Sequence, residues 1–211
     1  TTDEGTVYID PYSFGGGDIE HYISYYKKDF TPIAGKKMVC GVAGKSINTD
    51  NFNNLSNFSI QFGSCELRTY RLAVAATGEY TQFHGGTVAG ALAAQVTTMN
   101  RINGIYERDM AIHMNIVSNN DLIIYTNSSS DPYSNGNGSA MLGENQNNLD
   151  AVIGTANYDI GHVFSTGGGG IASLNSPCSS SRKAKGVTGQ NSPVGDPFDV
   201  DYVAHEMGHQ F

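Results

Sequence analysis

The sequence is poor in charged residues, and positive charge is the scarcer kind. Only 15% of its 211 residues are charged, and 12 Lys and Arg against 20 Asp and Glu give a formal net charge of −8. A nucleic-acid partner would need clustered basic side chains to neutralise its phosphates. The charge balance therefore argues against nucleic acid as a ligand.

Long apolar runs are absent as well. A helix that crosses a bilayer needs about 20 largely apolar residues, whereas the longest helix-like stretch, residues 88–105, contains Gln95, Thr97, Asn100 and Arg101. The first five residues carry neither the basic nor the apolar segment of a secretion signal, so such a signal lies upstream or was removed. Low charge and many Asn, Ser and Thr residues are typical of exported proteins, and we expect a secreted, extracellular protein without a membrane span.

Cysteine is rare, and its number is odd. With Cys40, Cys65 and Cys178, at most one intrachain disulfide can form, and at least one thiol is left for another role. One interpretation is a disulfide between Cys40 and Cys65, which are close in sequence. Another is three reduced thiols, as in a cytosolic protein. The number of cysteines alone leaves both open.

The residue pattern divides the chain near residue 62. Residues 1–62 contain strand-like runs at residues 6–9 and 21–26 but no long helical pattern, which indicates an extended segment that leans on another domain. From residue 66 onward, apolar runs alternate with helical periodicity. This order predicts an α/β (α+β) fold with a mixed sheet and crossover helices. The predicted strands are residues 70–76, 112–117, 122–125 and 160–165, and the predicted helices are residues 87–106, 144–156 and 197 onward.

The last predicted helix carries a motif with chemical consequences. Asp196 as the N-cap and Pro197 after it favour a helix start. His205 and His209 lie four positions apart, so their imidazoles project from one helix face toward a shared tetrahedral metal. Glu206 lies about 100° round the helix, where it can accept a proton from a zinc-activated water. Two ligands and a base at this spacing predict a zinc hydrolase.

A run of glycines follows the strand predicted at residues 160–165. Gly167–Gly170 lack the Lys and Ser/Thr of a phosphate-binding loop. Such a run is equally typical of a flexible turn. The functional alternative is an edge strand whose main chain pairs with an extended peptide.

Residues 204–211, AHEMGHQF, resemble the active-site helix of metzincin metalloendopeptidases, most closely the reprolysin (adamalysin-like) branch and its bacterial relatives. The strand at Asp159–Ser165, the glycine run and Cys178 follow the order of that family, so the resemblance covers roughly residues 66–211. It implies a metzincin-like upper subdomain. We therefore expect a twisted mixed sheet with an antiparallel edge strand, and two long helices, one of which carries the active site.

The resemblance also implies roles for individual residues. His205 and His209 bind Zn²⁺, Glu206 is the general base of peptide-bond hydrolysis, and a third histidine follows four residues beyond Phe211. Ca²⁺ is a second ion that the resemblance allows, without an assigned site. The sequence is then a fragment cut inside its zinc motif, inactive or latent by itself. A protein or peptide substrate binds antiparallel to an edge strand that contains Gly169, Gly170, Ile171 and Ala172.

Residues 1–62 are identified as the C-terminal part of a propeptide. Lys37–Val42, KMVCGV, resembles the cysteine-switch segment of reprolysin propeptides. This likeness implies a zymogen in which the Cys40 thiolate binds the zinc and the propeptide inhibits its own enzyme. Cys65 and Cys178 are then left to form a disulfide.

Two alternatives stay open. A thermolysin-like or aminopeptidase-like zinc hydrolase would take its third ligand from a distant glutamate. A non-catalytic secreted binding module would hold a structural zinc closed by Cys40. The remaining histidines lack ligand-like spacing, and we expect structural or solvent-facing roles for His21, His84 and His113 and no ligand role for His162.

Overall fold

The computed structural model describes residues 5, 7–11, 21–29, 40–41 and 66–211. Near the N-terminus, β1 (Val7–Pro11) and β2 (Tyr22–Tyr26) form an antiparallel pair, followed by a 3-10 turn at Lys27–Asp29. Both strands fall on the strand-like runs predicted there. The assignment of residues 1–62 to a propeptide stays a prediction.

Residues 66–211 fold around a five-stranded sheet with the strand order β4-β3-β5-β7-β6. Strands β4, β3, β5 and β7 run parallel to one another, and β6 runs antiparallel to β7 at one edge. This arrangement confirms the predicted α/β fold with a mixed sheet and an antiparallel edge strand. The bounds are β3 (Arg68–Ala76), β4 (Ile112–Ile116), β5 (Ile160–Ser165), β6 (Gly170–Ala172) and β7 (Gly186–Gly189).

Helices cover both faces of this sheet. The first three are α1 (Gly78–Phe83), α2 (Val88–Met110) and α3 (Gly138–Leu149), which continues into a π-helical turn at Asp150–Gly154 and a 3-10 turn at Thr155–Asn157. The C-terminal helix has three parts: α4 (Asp196–Phe198), a π-helical segment (Asp199–Val203) and α5 (Ala204–Gln210). Among the described residues, none of the helices has both the length and the apolar character that a bilayer crossing needs.

Strand β3 shows why the sheet needs helices on both sides. Leu72, Val74 and Ala76 face a core shared with α2 and the C-terminal helix, whereas Ala73 and Ala75 face a second core shared with α3. All five are fully buried. A strand buried on both faces has an unbroken apolar sequence, because neither set of alternating side chains meets water. The C-terminal helix is thereby fixed against one face of the sheet.

The strand predicted at residues 122–125 is wrong. The structure has a 3-10 turn at Asn120–Ile123, and only Ile124 forms an isolated bridge, to Ala76. The Asn120 amide accepts a hydrogen bond from Val74 N at 2.8 Å and donates one to Val74 O at 2.9 Å. This side chain bonds to the backbone groups of Val74 that a further strand would use. The hydrogen-bonding groups of β3 on the side away from β5 are therefore satisfied there without a strand.

Two helix starts also differ from the prediction. The helix expected from residue 144 begins at Gly138, where the Asn137 side chain accepts a hydrogen bond from Ala140 N at 3.1 Å. The N-cap of the C-terminal helix is Gly195, not Asp196. The Asp196 side chain does not cap the helix, and its carboxylate charge helps to raise the pKa of Tyr8 in β1.

Candidate metal centre

Helix α5 brings the two histidines of the motif together. Their Nε2 atoms are 3.0 Å apart, with His205 exposed and His209 half-buried. Burial, together with the neighbouring His205, lowers the pKa of His209, so that its imidazole is held in the neutral form that binds metals. The predicted pair is therefore assembled on one helix face.

The N-terminal half of the C-terminal helix is fixed to α2 by polar contacts. Asp199 forms an ion pair with Arg101 at 2.7 Å, in which both side chains are less than a tenth exposed, and it accepts a hydrogen bond from the Thr98 hydroxyl at 2.7 Å. Closer to the histidines, the Tyr106 hydroxyl donates to Ala204 O at 2.5 Å. These contacts hold the helix in position over the sheet.

A buried polar chain fixes the other end of α5. The Gln210 Nε2 group donates to Gly161 O at 3.1 Å, which leaves its Oε1 as the acceptor for His162 Nδ1 at 2.8 Å. His162 Nε2 therefore accepts from the Thr188 hydroxyl, also at 2.8 Å. Burial lowers the pKa of His162 to about 4, consistent with a neutral ring. His162 lies outside the group formed by Cys40, His205 and His209.

Sequence reasoning assigned His162 no role, but the structure shows that it ties β5 and β7 to α5. A signal for this contact was present. A histidine between the apolar residues of a fully buried strand needs buried polar partners, because an unsatisfied polar group in a core is costly.

Glu206 lies on the inner side of α5 and is inaccessible to solvent. Burial raises its pKa to about 7, with a smaller opposing effect from the Cys40 thiol. No nitrogen or oxygen donor among the described residues hydrogen-bonds to either carboxylate oxygen. The carboxyl group is thus poised near neutral pH and keeps its oxygens available for a ligand in the cleft.

Cys40 completes the cluster. Its Sγ is 3.3 Å from His209 Nε2, and the ligand atoms of Cys40, His205 and His209 all lie within 4.8 Å of one another. In the part of the chain that the structure describes, this is the one group of three or more His, Cys, Asp or Glu side chains close enough to share an ion. The residues named from the sequence as zinc ligands are therefore close together, and Ca²⁺ binding stays a prediction.

The Cys40 segment lies against the β6 edge of the sheet. Cys40 forms a parallel bridge with Gly170, and Gly41 N donates to Gly170 O at 2.6 Å. A Cβ on Gly41 would lie 3.1 Å from Gly170 O and 3.3 Å from Ile171 Cβ, so a glycine suits this close approach. The edge that was predicted to bind an extended chain does pair with main chain here, at one point.

Gly170 also faces the Glu206 carboxylate. A Cβ added to it would fall 2.2 Å from Glu206 Oε1 and 2.3 Å from Tyr202 Cε2. The preceding Gly169 has a φ of +73°, and its carbonyl accepts from Gly189 N at 2.9 Å. Strand β6 thus comprises Gly170, Ile171 and Ala172, while Gly169 forms the turn that leads into it.

The predicted disulfide cannot be followed to both ends. Cys178 is an exposed free cysteine with a φ of +63°, and its proposed partner Cys65 lies outside the described residues. The pairing of these two residues stays a prediction.

Comparison with known proteins gives one family. Residues 66–211 match the model of the family described as Metallo-peptidase family M12B, Reprolysin-like. A comparison with curated proteins gives no match. The matched range contains the whole five-stranded sheet and the helix with both histidines.

Proposed function

The chain belongs to the reprolysin-like M12B metallopeptidases, and from this membership we propose that it is part of a secreted zinc endopeptidase whose latent form is inhibited by Cys40. Peptidases of this family are zinc-dependent in general. The observation that carries the proposal is the convergence of Cys40, His205 and His209 within 4.8 Å, beside the buried carboxylate of Glu206.

The donor set and its spacing fit zinc. Zn²⁺ prefers tetrahedral coordination by imidazole nitrogen and thiolate sulfur, and bond lengths of about 2.0 and 2.3 Å would place two nitrogens about 3.3 Å apart and a sulfur about 3.5 Å from a nitrogen. The observed separations are 3.0 Å between the two Nε2 atoms and 3.3 Å between Sγ and His209 Nε2. These values differ from the tetrahedral ones by a few tenths of an ångström.

Glu206 is the general base of the proposed reaction. Zinc held by His205 and His209 supplies Lewis acidity, which polarises the scissile carbonyl and activates water. Glu206 accepts the proton of the attacking water and passes it to the departing amine as the peptide bond breaks. A carboxyl group with a pKa near 7 can do both at neutral pH, because either protonation state is accessible.

The substrate of the proposed enzyme is an extended protein or peptide chain. Strand β6 ends the sheet, and its Gly170 carbonyl already accepts a main-chain hydrogen bond from Gly41. The Glu206 carboxylate packs directly against the Cα of Gly170, because glycine has no side chain to separate them. A substrate strand that pairs with this edge would therefore pass close to the carboxylate. The absence of a Cβ at Gly170 keeps the base next to the bound chain.

Latency follows from competition for the same space. The Cys40 thiol lies beside His209, and its segment pairs with the β6 edge. A substrate therefore cannot use that part of the edge while the segment is in place. Ca²⁺ binding, the third histidine beyond Phe211 and secretion remain part of the proposal, supported by the family membership and the composition.

The decisive experiment replaces the base in the full-length native protein and assays hydrolysis after residues 1–62 have been removed, so that wild type and variant are compared without Cys40. Glu206→Gln should lower hydrolysis of an unfolded protein substrate by about 10²–10⁴-fold while zinc content stays unchanged. Glu107→Gln, on the surface beside His113, is the matched control. Full activity of Glu206→Gln would overturn the mechanism, and zinc binding without any hydrolysis by the wild type would favour the structural-zinc alternative.

The gene sequence gives a second test. A histidine four residues beyond Phe211 supports the reprolysin-like ligand set. A different residue there, with a glutamate ligand elsewhere, would support the thermolysin-like alternative.

A further inference from the structure

Strands β1 and β2 form a pair that presents two tyrosines on one face, and we call these strands the tyrosine strand pair. Tyr8 lies directly opposite Tyr25 in the antiparallel register, so both side chains project from the same side. Their ring centroids are 5.9 Å apart. Ile9 and Tyr22, on the opposite side, are 67% and 64% exposed. The face with Tyr8 and Tyr25 is therefore the docked one.

The docked face meets Arg101 of helix α2. The Arg101 guanidinium carbon lies 4.4 Å from the centre of the Tyr8 ring, and Arg101 donates a hydrogen bond to the Tyr25 hydroxyl at 3.1 Å. Asp196, at the start of the C-terminal helix, lies close enough to Tyr8 to act on it electrostatically: burial together with the charge of this carboxylate raises the pKa of Tyr8. A cation against a ring face and a charge-assisted hydrogen bond are both specific contacts.

This contact lies at the end of the C-terminal helix opposite to the metal ligands. Arg101 is itself held by the buried ion pair with Asp199. Asp199 lies in the C-terminal helix, which also carries His205 and His209. The described part of the N-terminal segment thus touches residues 66–211 at two separate places. One is the cluster at Cys40, and the other is the pair of side chains Arg101 and Asp196.

We propose that Arg101 and Asp196 form a docking site for the tyrosine strand pair, and that this second attachment holds the Cys40 thiol at the metal ligands. The proposal deepens the latency described above and rests on it for its consequence. Residues 27–39 join the strand pair to Cys40, and such a link raises the effective concentration of the thiol at His209 to the millimolar range. When the strand pair undocks, the Cys40 thiol dissociates from the metal ligands more often.

The strand pair depends on the docking site in its turn. An isolated pair of strands is at best marginally stable in water, and independent stability needs a third strand or a packing partner. The described part of the segment gains such a partner from Arg101 and Asp196. Docking and folding of the strand pair are therefore one event, which can be followed separately from the metal centre.

The experiment uses the full chain loaded with Zn²⁺ and measures the alkylation rate of Cys40 by iodoacetamide, resolved by peptide mass spectrometry. The double variant Tyr8→Leu/Tyr25→Phe should raise the rate about tenfold, because it removes the ring under the guanidinium and the hydroxyl that Arg101 binds. The matched control is Tyr22→Leu on the exposed face. A double variant that reacts at the wild-type rate, or a control that reacts equally fast, would overturn the proposal.

Hydrogen exchange of the β1 and β2 amides in EDTA separates this proposal from the proposed function. Without metal, the wild type should still protect these amides, and the double variant should lose that protection about tenfold or more while Tyr22→Leu keeps it. Equal protection in all three proteins would overturn the docking site even if zinc binds. Loss of protection in the double variant alone would uphold the docking site even if the chain proved to have no peptidase activity.

Discussion

The Cys40 sulfur lies 3.3 Å from Nε2 of His209, although 169 positions separate the two residues along the chain. Gly41 N, one residue on, bonds to Gly170 O at the sheet edge. The sulfur is thus placed by main-chain pairing as well as by its own contact with the imidazole. Together these contacts bring an N-terminal segment, an edge strand and the C-terminal helix to one point.

A Cys40→Ser variant tests the role of this sulfur. In the chain loaded with Co²⁺ in place of Zn²⁺, we expect the wild type to show a thiolate-to-cobalt charge-transfer band and the variant to lack it. In the protein that continues past Phe211, the same variant should raise basal peptide hydrolysis by about tenfold or more, because the thiol no longer competes at high effective concentration.

Cys178→Ser is the control for this substitution, since Cys178 is exposed and free. It should leave both the band and the basal activity as in the wild type. If Cys40→Ser keeps the charge-transfer band, or if basal hydrolysis does not change, the sulfur is not the inhibitory ligand.

A methyl group at Gly170 should disturb the base directly. In Gly170→Ala the added Cβ would meet Glu206 Oε1 at 2.2 Å, so the carboxylate or the edge strand has to move. Overpacking of this kind costs about 1–3 kcal/mol of unfolding free energy, and we expect lower hydrolysis as well. Urea unfolding and a peptide assay measure the two effects.

Gly104→Ala is the matched substitution for that test. Gly104 lies on the exposed side of α2, and a Cβ there meets no atom within 4 Å. This variant should be unchanged in activity and more stable by up to about 1 kcal/mol, because alanine is the better helix former. Wild-type stability and activity in Gly170→Ala would show that the cleft tolerates a side chain at that position.

His162 makes the stability of the fold depend on pH. Its pKa is about 4 in the folded protein and about 6.5 in an unfolded chain. Unfolding therefore takes up a proton between these values, so the stability that is fully present above pH 6.5 is lost as the pH falls toward 4. Between pH 7 and pH 5 this histidine contributes a loss of about 2 kcal/mol.

Urea unfolding in EDTA at pH 7 and pH 5 measures this loss of unfolding free energy. In His162→Gln, the difference between the two pH values should be smaller by the contribution of His162. His84, whose pKa burial also lowers to about 4, adds a similar dependence that both proteins share. His113→Gln is a control with the opposite sign, because the Glu107 partner raises the pKa of His113. An equal pH dependence in wild type and His162→Gln would contradict a buried, neutral His162.

The strongest sequence signals were those in which a local pattern determines local geometry. The four-residue spacing of His205 and His209 sets their common face on any helix, and the unbroken apolar run in β3 reflects burial on both sides. The β6 edge strand was expected from the family resemblance, because the glycine run alone is equally typical of a flexible turn. For these residues the relevant contacts lie within a turn or along one strand.

Features that depend on distant partners were not predictable in this way. Asn120 replaces a strand by hydrogen-bonding to Val74, 46 positions away, and Asp196 acts electrostatically on Tyr8, in a segment far from it in sequence. Strand β7 holds only Val187 and Thr188 between two glycines, too short an apolar pattern to stand out from a loop. In each case a tertiary interaction determines the local structure, and the periodicity of a single sequence does not reveal tertiary partners.

The direction of the Cys40 bridge has a consequence for inhibitor chemistry. Cys40 pairs with Gly170 in the parallel sense, whereas the substrate is proposed to run antiparallel to the same edge. Reversing the direction of a strand exchanges the positions of its amide nitrogens and carbonyl carbons relative to Glu206. A peptide bond in a chain that runs parallel to the edge is therefore not oriented for cleavage. A short thiol peptide that copies the Cys-Gly direction is therefore a starting point for a ligand that the enzyme binds without consuming.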